Sequence, residues 1–233
     1  MTLTPAISAA LHRASTATIT TVLLKKGVRR AWMRGPMPLA SAAGKRVIGP
    51  AFTLRFVPAR EDLATPQSWS SPRSTRAAIE AMPEGVIAVV DAMAARDAGV
   101  FGDILSARMR KRGAAALITD GMVRDLAGVV GTGLPVWCAG GAAPASVASL
   151  TFVGWQEPIG CGGVAILPDD VIVADGDGAV VIPQAMVAEV AAEAEEQERL
   201  EAWIMGEVEK GAALPGLYPP NAETKARYEK ERR

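Results

Sequence analysis

Two short apolar runs, residues 86–90 (VIAVV) and 114–119 (AAALIT), bracket a glycine turn and a basic stretch that ends at Gly113. Each run is bounded by turn residues and is too short for a buried helix, so both read as strands covered on two faces. With a helix over 103–112 between them they form a βαβ unit, whose strands are parallel and whose crossover is right-handed. This unit constrains the rest of the chain. A parallel sheet needs layers on both sides, and the loops leaving its carboxyl ends gather on one edge, where ligands collect. A weaker repeat follows, with a helical piece at 126–130 and a third strand at 134–138 (LPVWC).

Around this centre, residues 3–27 carry small and apolar positions at helical spacing and stop at Gly27. Strand-like pieces follow at 46–48 and 51–57. Residues 58–76 are polar, proline-containing and serine-rich, which predicts a surface loop of the kind that covers sites. A helix is expected over 75–82. Beyond Gly140 the pattern turns to hairpins, with strands at 164–167, 171–174 and 179–182 separated by PDD at 168–170 and DGDG at 175–178. Residues 184–210 predict an amphipathic helix whose glutamates form a solvated face. Prolines and alternating charges in 211–233 predict an extended tail able to wrap a neighbouring subunit. The expected division is an N-terminal helical segment (1–27), one α/β domain (28–210) and that tail.

Composition excludes several classes. With 233 residues and 49% hydrophobic content the chain can bury one large core. Its 25 basic and 25 acidic residues cancel, so the electrostatic footprint of a general nucleic-acid binder is absent. No apolar run is long enough to span a bilayer and no secretory leader is evident, which reads as soluble and cytoplasmic. Cys138 and Cys161 lie in separate apolar contexts and read as buried thiols; His12 is the sole histidine, which excludes a histidine metal cluster or triad within one chain. The DGDG turn lacks the length and closing glutamate of a calcium loop. Nucleotide-binding glycine loops are also missing.

The chemistry concentrates between Gly99 and Asp125. The turn GVFGD opens the 103–112 helix, so the N–H groups near Asp103, Ile104 and Leu105 are first-turn donors suited to a carboxylate. Arg124 offers a planar fork that matches a carboxylate, or else an ion pair with Asp103, Asp120 or Asp125. Asp125 offers a hard oxygen to Mg²⁺ or Mn²⁺, or else caps the helix that begins at Leu126. Loops bearing these groups leave neighbouring strand ends on one edge.

Four blocks, GVFGDIL, ALITDGMVRD, LPVWCAG and LPDDVIVADGDGAVVIP, resemble in that order the family of the regulator of ribonuclease activity A and the related 4-hydroxy-4-methyl-2-oxoglutarate aldolases. Together they cover about residues 45–205. The resemblance implies a single-domain α/β fold, a layered αββα sandwich with swivelling β/β/α character, assembled as homotrimers or homohexamers with sites at subunit interfaces. On the aldolase branch it implies that Gly102, Asp103, Ile104 and Leu105 hold the pyruvyl part of a small 2-oxo acid through backbone amides. Arg124 then contacts substrate, Asp125 holds a divalent cation, and Arg124 with Asp103 are the catalytic candidates.

The implied activity is a class II-type retro-aldol cleavage of a 4-hydroxy-2-oxo acid to pyruvate, with oxaloacetate decarboxylation as a side activity. The alternative is a non-catalytic regulator that docks on a ribonuclease; such members can lack the metal-binding aspartate, so Asp125 favours the lyase. Two departures stand out. Aldolase members place an acid three positions after that aspartate, where this chain has Gly128, so either a metal-bound water lacks its partner or the acid comes from the glutamate-rich C-terminal helix of a neighbour. Segment 58–76 is also longer and richer in arginine and serine than in short members.

Overall fold

The computed structural model describes residues 3–232. Helices α1 (Pro5–Arg13) and α2 (Thr16–Lys25) make up the helical segment expected over 3–27. The chain breaks at Ser15, which takes extended backbone and caps α2 by accepting from the Thr18 N–H. Short strands β1 (Trp32–Met33) and β2 (Met37–Pro38) lead to β3 (Val47–Pro58), one continuous strand where two pieces were expected. Then come α3 (Thr75–Ala81), β4 (Ile87–Asp91), α4 (Asp103–Lys111), β5 (Ala116–Thr119), α5 (Leu126–Gly131) and β6 (Val136–Cys138). The chain closes with β7 (Leu150–Trp155), β8 (Val171–Asp175), β9 (Gly178–Ile182), α6 (Val187–Glu209) and α7 (Ala222–Glu231).

The strands form one curled sheet in the order β1-β9-β8-β3-β4-β5-β6-β2, with β7 also on β3. The run β3-β4-β5-β6 is parallel, as the βαβ pattern requires, and the other pairings are antiparallel. Alternation along the strands builds the layers. On β4, Ala88 and Val90 face a core under α3, α4 and α5, where they meet Leu54, Met109 and Val129. Ile87 and Val89 face the opposite way, into an inner core with Trp137, Ile172 and Val181. The outward residues of the β8–β9 hairpin, Val173, Val180 and Ile182, pack with Leu11, Ile19, Leu23 and Val190 of α1, α2 and α6. Helices, parallel sheet, hairpin and helices therefore stack as the expected αββα sandwich in a single domain. Among the described residues no helix is long and apolar enough to cross a membrane.

Three expectations are corrected. Residues 164–167 form no strand; only an isolated bridge joins Ile159 and Ile166, because the chain there is tied to a glycine loop at 160–163. Residues 211–232 do not form the extended tail expected over 211–233, whose last residue lies outside the described ones. Within them α7 folds back on α6, burying Tyr228 against the Trp203 ring at 5.7 Å, with Arg227 above the same ring at 4.8 Å. The glutamates of α6 form a solvated face only in part, since Glu189, Glu193 and Glu196 stay solvent-exposed while Glu195 and Glu198 are drawn in. Glu189 and Glu193 each pair with Lys26 at 2.6 Å, Glu195 pairs with Arg13 at 2.5 Å, and Glu196 pairs with Arg232. Glu198 accepts from the Ser15 N–H at 2.7 Å, and these acids thus clamp both terminal helical segments of their own chain.

Candidate functional site

The loops leaving β4 and β5 do meet. Val100 N–H donates to the Met122 carbonyl at 2.9 Å, and Arg124 N–H donates to the Phe101 carbonyl at 2.9 Å. Gly99 makes this approach possible, since a Cβ there would stand 2.7 Å from the Arg124 nitrogen. The zipped loops carry Arg124 and Asp125 to the start of α4. Gly102 is the N-cap of that helix and offers no side-chain acceptor, which leaves its first turn open.

Within that turn, the Ile104 N–H donates to Asp103 Oδ1 of the preceding residue at 2.7 Å. The Asp103 and Leu105 N–H groups have no partner among the described residues, so two of the three expected donors remain for an anion. A Cβ on Gly102 would lie 2.7 Å from Asp125 Oδ2 and 3.2 Å from Arg124 Cγ, so the glycine floors the space beneath both side chains. Gly102, Asp103, Ile104, Leu105, Arg124 and Asp125 all line one open cavity of about 310 Å³.

Asp125 occupies the N-cap position of α5 but makes no capping hydrogen bond. Its backbone is left-handed, φ 55° and ψ 45°, a region that L residues other than glycine enter uncommonly and that aspartate and asparagine tolerate best. Its carboxylate turns instead to Arg124, whose Nε donates to Oδ2 at 3.1 Å. Of the partners open to Arg124, Asp125 is the one it takes. Asp120 lies elsewhere: it is buried, accepts from the N–H groups of Ala92 at 2.9 Å and Gly162 at 3.0 Å, and ties the 160–163 loop to the sheet. Burial pushes the Asp120 carboxyl above its ordinary value, against the pull of those N–H donors. Burial likewise raises the Cys161 thiol well above its ordinary value and raises that of Cys138. Both cysteines are buried and free, as expected.

Among the described residues no group of three or more His, Cys, Asp or Glu side chains converges on one point. A protein-only metal cage is therefore absent from them. A half-exposed carboxylate facing an open cavity does suit Mg²⁺ or Mn²⁺, which keep several waters and need one or two carboxylates. Where an acid was expected, Gly128 packs its Cα against the Asp103 side chain.

Trp69, Thr75, Arg76 and Ser146 complete the cavity wall and were not among the candidates read from the sequence. A lone aromatic and an arginine at the end of an otherwise serine-rich loop were the available signal.

A family model described as RraA-like, Aldolase/RraA, matches residues 15–181. A Halalkalibacterium halodurans protein provisionally named as a 4-hydroxy-4-methyl-2-oxoglutarate aldolase is 35% identical over 140 residues, 60% of this chain and 60% of its own length. Protein DlpA of Legionella pneumophila is 30% identical over 147 residues, 63% of this chain and 23% of that protein. The match thus spans less than two thirds of either relative. The crystal structure of Streptomyces coelicolor RraAS2, titled an unusual member of the RNase ES inhibitor RraA family, superposes with a TM-score of 0.76 at 35% identity, covering 86% of this chain and 96% of that one.

Proposed function

The chain belongs to the RraA-like family, and from that premise we propose that it is a divalent-metal-dependent lyase that cleaves a 4-hydroxy-2-oxo acid to pyruvate and decarboxylates oxaloacetate as a side activity. The observation that carries the reading is the backbone of Asp125. A left-handed aspartate costs on the order of 1 kcal/mol, and no cap hydrogen bond offsets it here. Met93, Ala94, Gln156 and Asp169 share the left-handed conformation, but Asp125 is the one of the five that lines the cavity, and strain placed beside a cavity fits a side chain held for chemistry. The relative provisionally named as an aldolase supports the same reading.

In this reading Asp125 would hold Mg²⁺ or Mn²⁺. The bound ion would act as a Lewis acid on the 2-oxo group. The Asp103 and Leu105 N–H groups receive the substrate carboxylate at the positive end of α4. Arg124 places its guanidinium beside the oxygen on which charge develops as the C3–C4 bond breaks. Asp103 Oδ2, the oxygen not engaged by the Ile104 N–H, accepts the 4-hydroxyl proton directly or through one water. The electron pair of the broken C3–C4 bond passes to the pyruvate enolate, the other fragment leaves as a carbonyl compound, and Asp103 returns the proton it took, directly or through the same water, to C3. The same enolate forms when oxaloacetate loses carbon dioxide. Homotrimers or homohexamers with the site near a subunit boundary are part of the proposal; Ile104, 80% exposed beside the cavity, is suited to such a boundary, and light scattering on the purified protein checks it.

The test is pyruvate release, followed with Mg²⁺ present, from oxaloacetate and from 4-hydroxy-2-oxo acids. Loss of release with a chelator and in Asp125→Ala is the expected result. No pyruvate from any of them overturns the reading. The similarity to RraAS2 favours a second one, a protein that binds and restrains a ribonuclease. That reading predicts capture of a ribonuclease unaffected by chelator and by Asp125→Ala.

A further inference from the structure

We propose that Asp120 is a positioning residue for the site, its buried carboxylate pinning together the roots of the two loops that carry the anion donors and the Arg124-Asp125 pair. The role deepens the lyase reading and rests on it. One loop leaves β4 at Ala92 and ends at Gly102, the open cap of α4; the other leaves β5 at Asp120 and ends at Asp125. Asp120 is 3% exposed. Its Oδ1 accepts from the Ala92 N–H at 2.9 Å and its Oδ2 from the Gly162 N–H at 3.0 Å. Each oxygen thus holds a different segment, and the residue itself begins the second loop.

The roots are shaped for close approach. Gly121 follows Asp120, and a Cβ on it would lie 2.5 Å from the Ala92 Cβ, so the missing side chain lets the two backbones come together. Directly beyond Ala92, Met93 and Ala94 are both left-handed, φ 53° and 55°. Alanine has no polar side chain to stabilise that conformation locally, so the surrounding structure must hold it. Asp125, φ 55°, ends the partner loop in the same conformation. Asp120 is the anchor that both strained loops share.

From these roots the loops are zipped by the Val100 N–H on the Met122 carbonyl and the Arg124 N–H on the Phe101 carbonyl, each at 2.9 Å. A shift at the roots travels along this zip to the Asp103 and Leu105 N–H groups and to the Asp125 carboxylate. Asp120 has no part in the proposed chemistry itself. It acts through the groups it places.

Asp170 supplies the comparison. It is also buried and also accepts two backbone N–H groups, from Leu167 at 2.9 Å and from Gln184 at 3.0 Å. Its carbonyl accepts from the Ala51 N–H, and Ala51 pairs with Ile87, the first residue of β4, so Asp170 lies at the amino ends of the parallel strands, away from the site loops. Asparagine at either position keeps the volume but turns an amide NH₂ toward a backbone N–H, leaving one bond unmade. Asp120→Asn and Asp170→Asn should therefore lower the melting temperature by similar amounts. Only Asp120→Asn should raise the pyruvate dissociation constant, by about tenfold in calorimetry with Mg²⁺, and KM for oxaloacetate with it. Its kcat should fall by up to about a hundredfold, the loss expected when reacting groups are misplaced by about 1 Å. A purely structural role would reduce the amount of folded protein and leave the dissociation constant and KM of the folded fraction unmoved.

Amide hydrogen exchange reads the staple without turnover. In the wild-type protein the Ala92, Val100, Arg124 and Gly162 amides should exchange through one shared opening. In Asp120→Asn those of Val100 and Arg124 should exchange at least about tenfold faster, and in Asp170→Asn they should be unchanged. If Asp120→Asn does not fold, the wild-type pattern still decides. Opening of Val100 and Arg124 while Ala92 and Gly162 stay protected, or equal effects of the two variants on pyruvate binding, overturns the role of Asp120 and leaves the lyase reading standing. Absence of pyruvate release from every 2-oxo acid by the wild-type protein overturns the lyase reading, and the exchange pattern then judges the staple alone.

Discussion

Asp103 and Gly128 occupy one another's space: a Cβ on Gly128 would lie 2.7 Å from Asp103 Oδ2 and 2.8 Å from Asp103 Cβ. No side chain fits at 128 while α4 and α5 keep their separation. Alanine normally gains about 0.5–1 kcal/mol over glycine within a helix, but forced overpacking costs about 1–3 kcal/mol. Gly128→Ala should therefore be destabilised by up to about 2 kcal/mol in a denaturant melt, and pyruvate release should fall at least about tenfold as Asp103 is displaced. A more stable and fully active variant would contradict this.

Asp125→Asn separates structure from chemistry. Asparagine tolerates left-handed backbone well, and the lost ion pair with Arg124 is half-exposed. Unfolding free energy should change by less than about 1 kcal/mol, whereas metal-dependent pyruvate release should fall about a hundredfold or more. A structural role would produce the reverse order.

Gly102→Ala probes the floor of the site. The backbone of Gly102, φ −117°, is open to any residue, so backbone strain plays no part. The new methyl would instead press on Asp125 Oδ2 at 2.7 Å. Because that carboxylate can swing into solvent, the melting temperature should hardly move while pyruvate affinity falls about tenfold by calorimetry.

The α6–α7 contact should be acid-sensitive. Hydrogen bonds from Lys210 and Arg227 hold the Glu207 carboxyl below its ordinary value of 4.5. The folded state thus favours the charged form, so the stabilisation is complete above pH 4.5 and is lost as pH falls from there through the lowered folded value. The indole N–H resonance of Trp203, which donates to Glu231 at 2.9 Å, should shift toward that of a detached helix in this window. The Trp203 N–H and Arg227 also hold the Glu231 carboxyl below its ordinary value of 4.5, so Glu207→Gln should remove only part of the effect and the double variant Glu207→Gln, Glu231→Gln should remove most of it.

Much of the architecture was legible because it rests on apolar pattern. The runs around residues 87–90 and 116–119 are buried on both faces, so no other element suits them. The elements that escaped lack such a pattern. Strand β7 (LTFVGW) contains a glycine and follows a loop rich in small residues, and it is recognisable only through its pairing with β3. Helix α7 buries one side chain, Tyr228, and is held by ion pairs whose partners lie on α6. At the site, GVFGDIL and RD were readable as local chemistry. The left-handed backbone of Asp125 and the stacking of Arg76 on Trp69 are products of tertiary packing, and no local spacing encodes them.

Strand β3 belongs to both layers of the sandwich. Residues 47–50 pair with β8 of the hairpin, and residues 51–58 pair with β4 and β7. The molecule consequently has no seam. Separating hairpin from parallel sheet would require tearing β3 between residues 50 and 51, so the two layers are expected to melt in a single transition. The loops that carry Arg124 and Asp125 leave the parallel layer next to that shared strand, so a weakened hairpin on the far layer is expected to register at the proposed site.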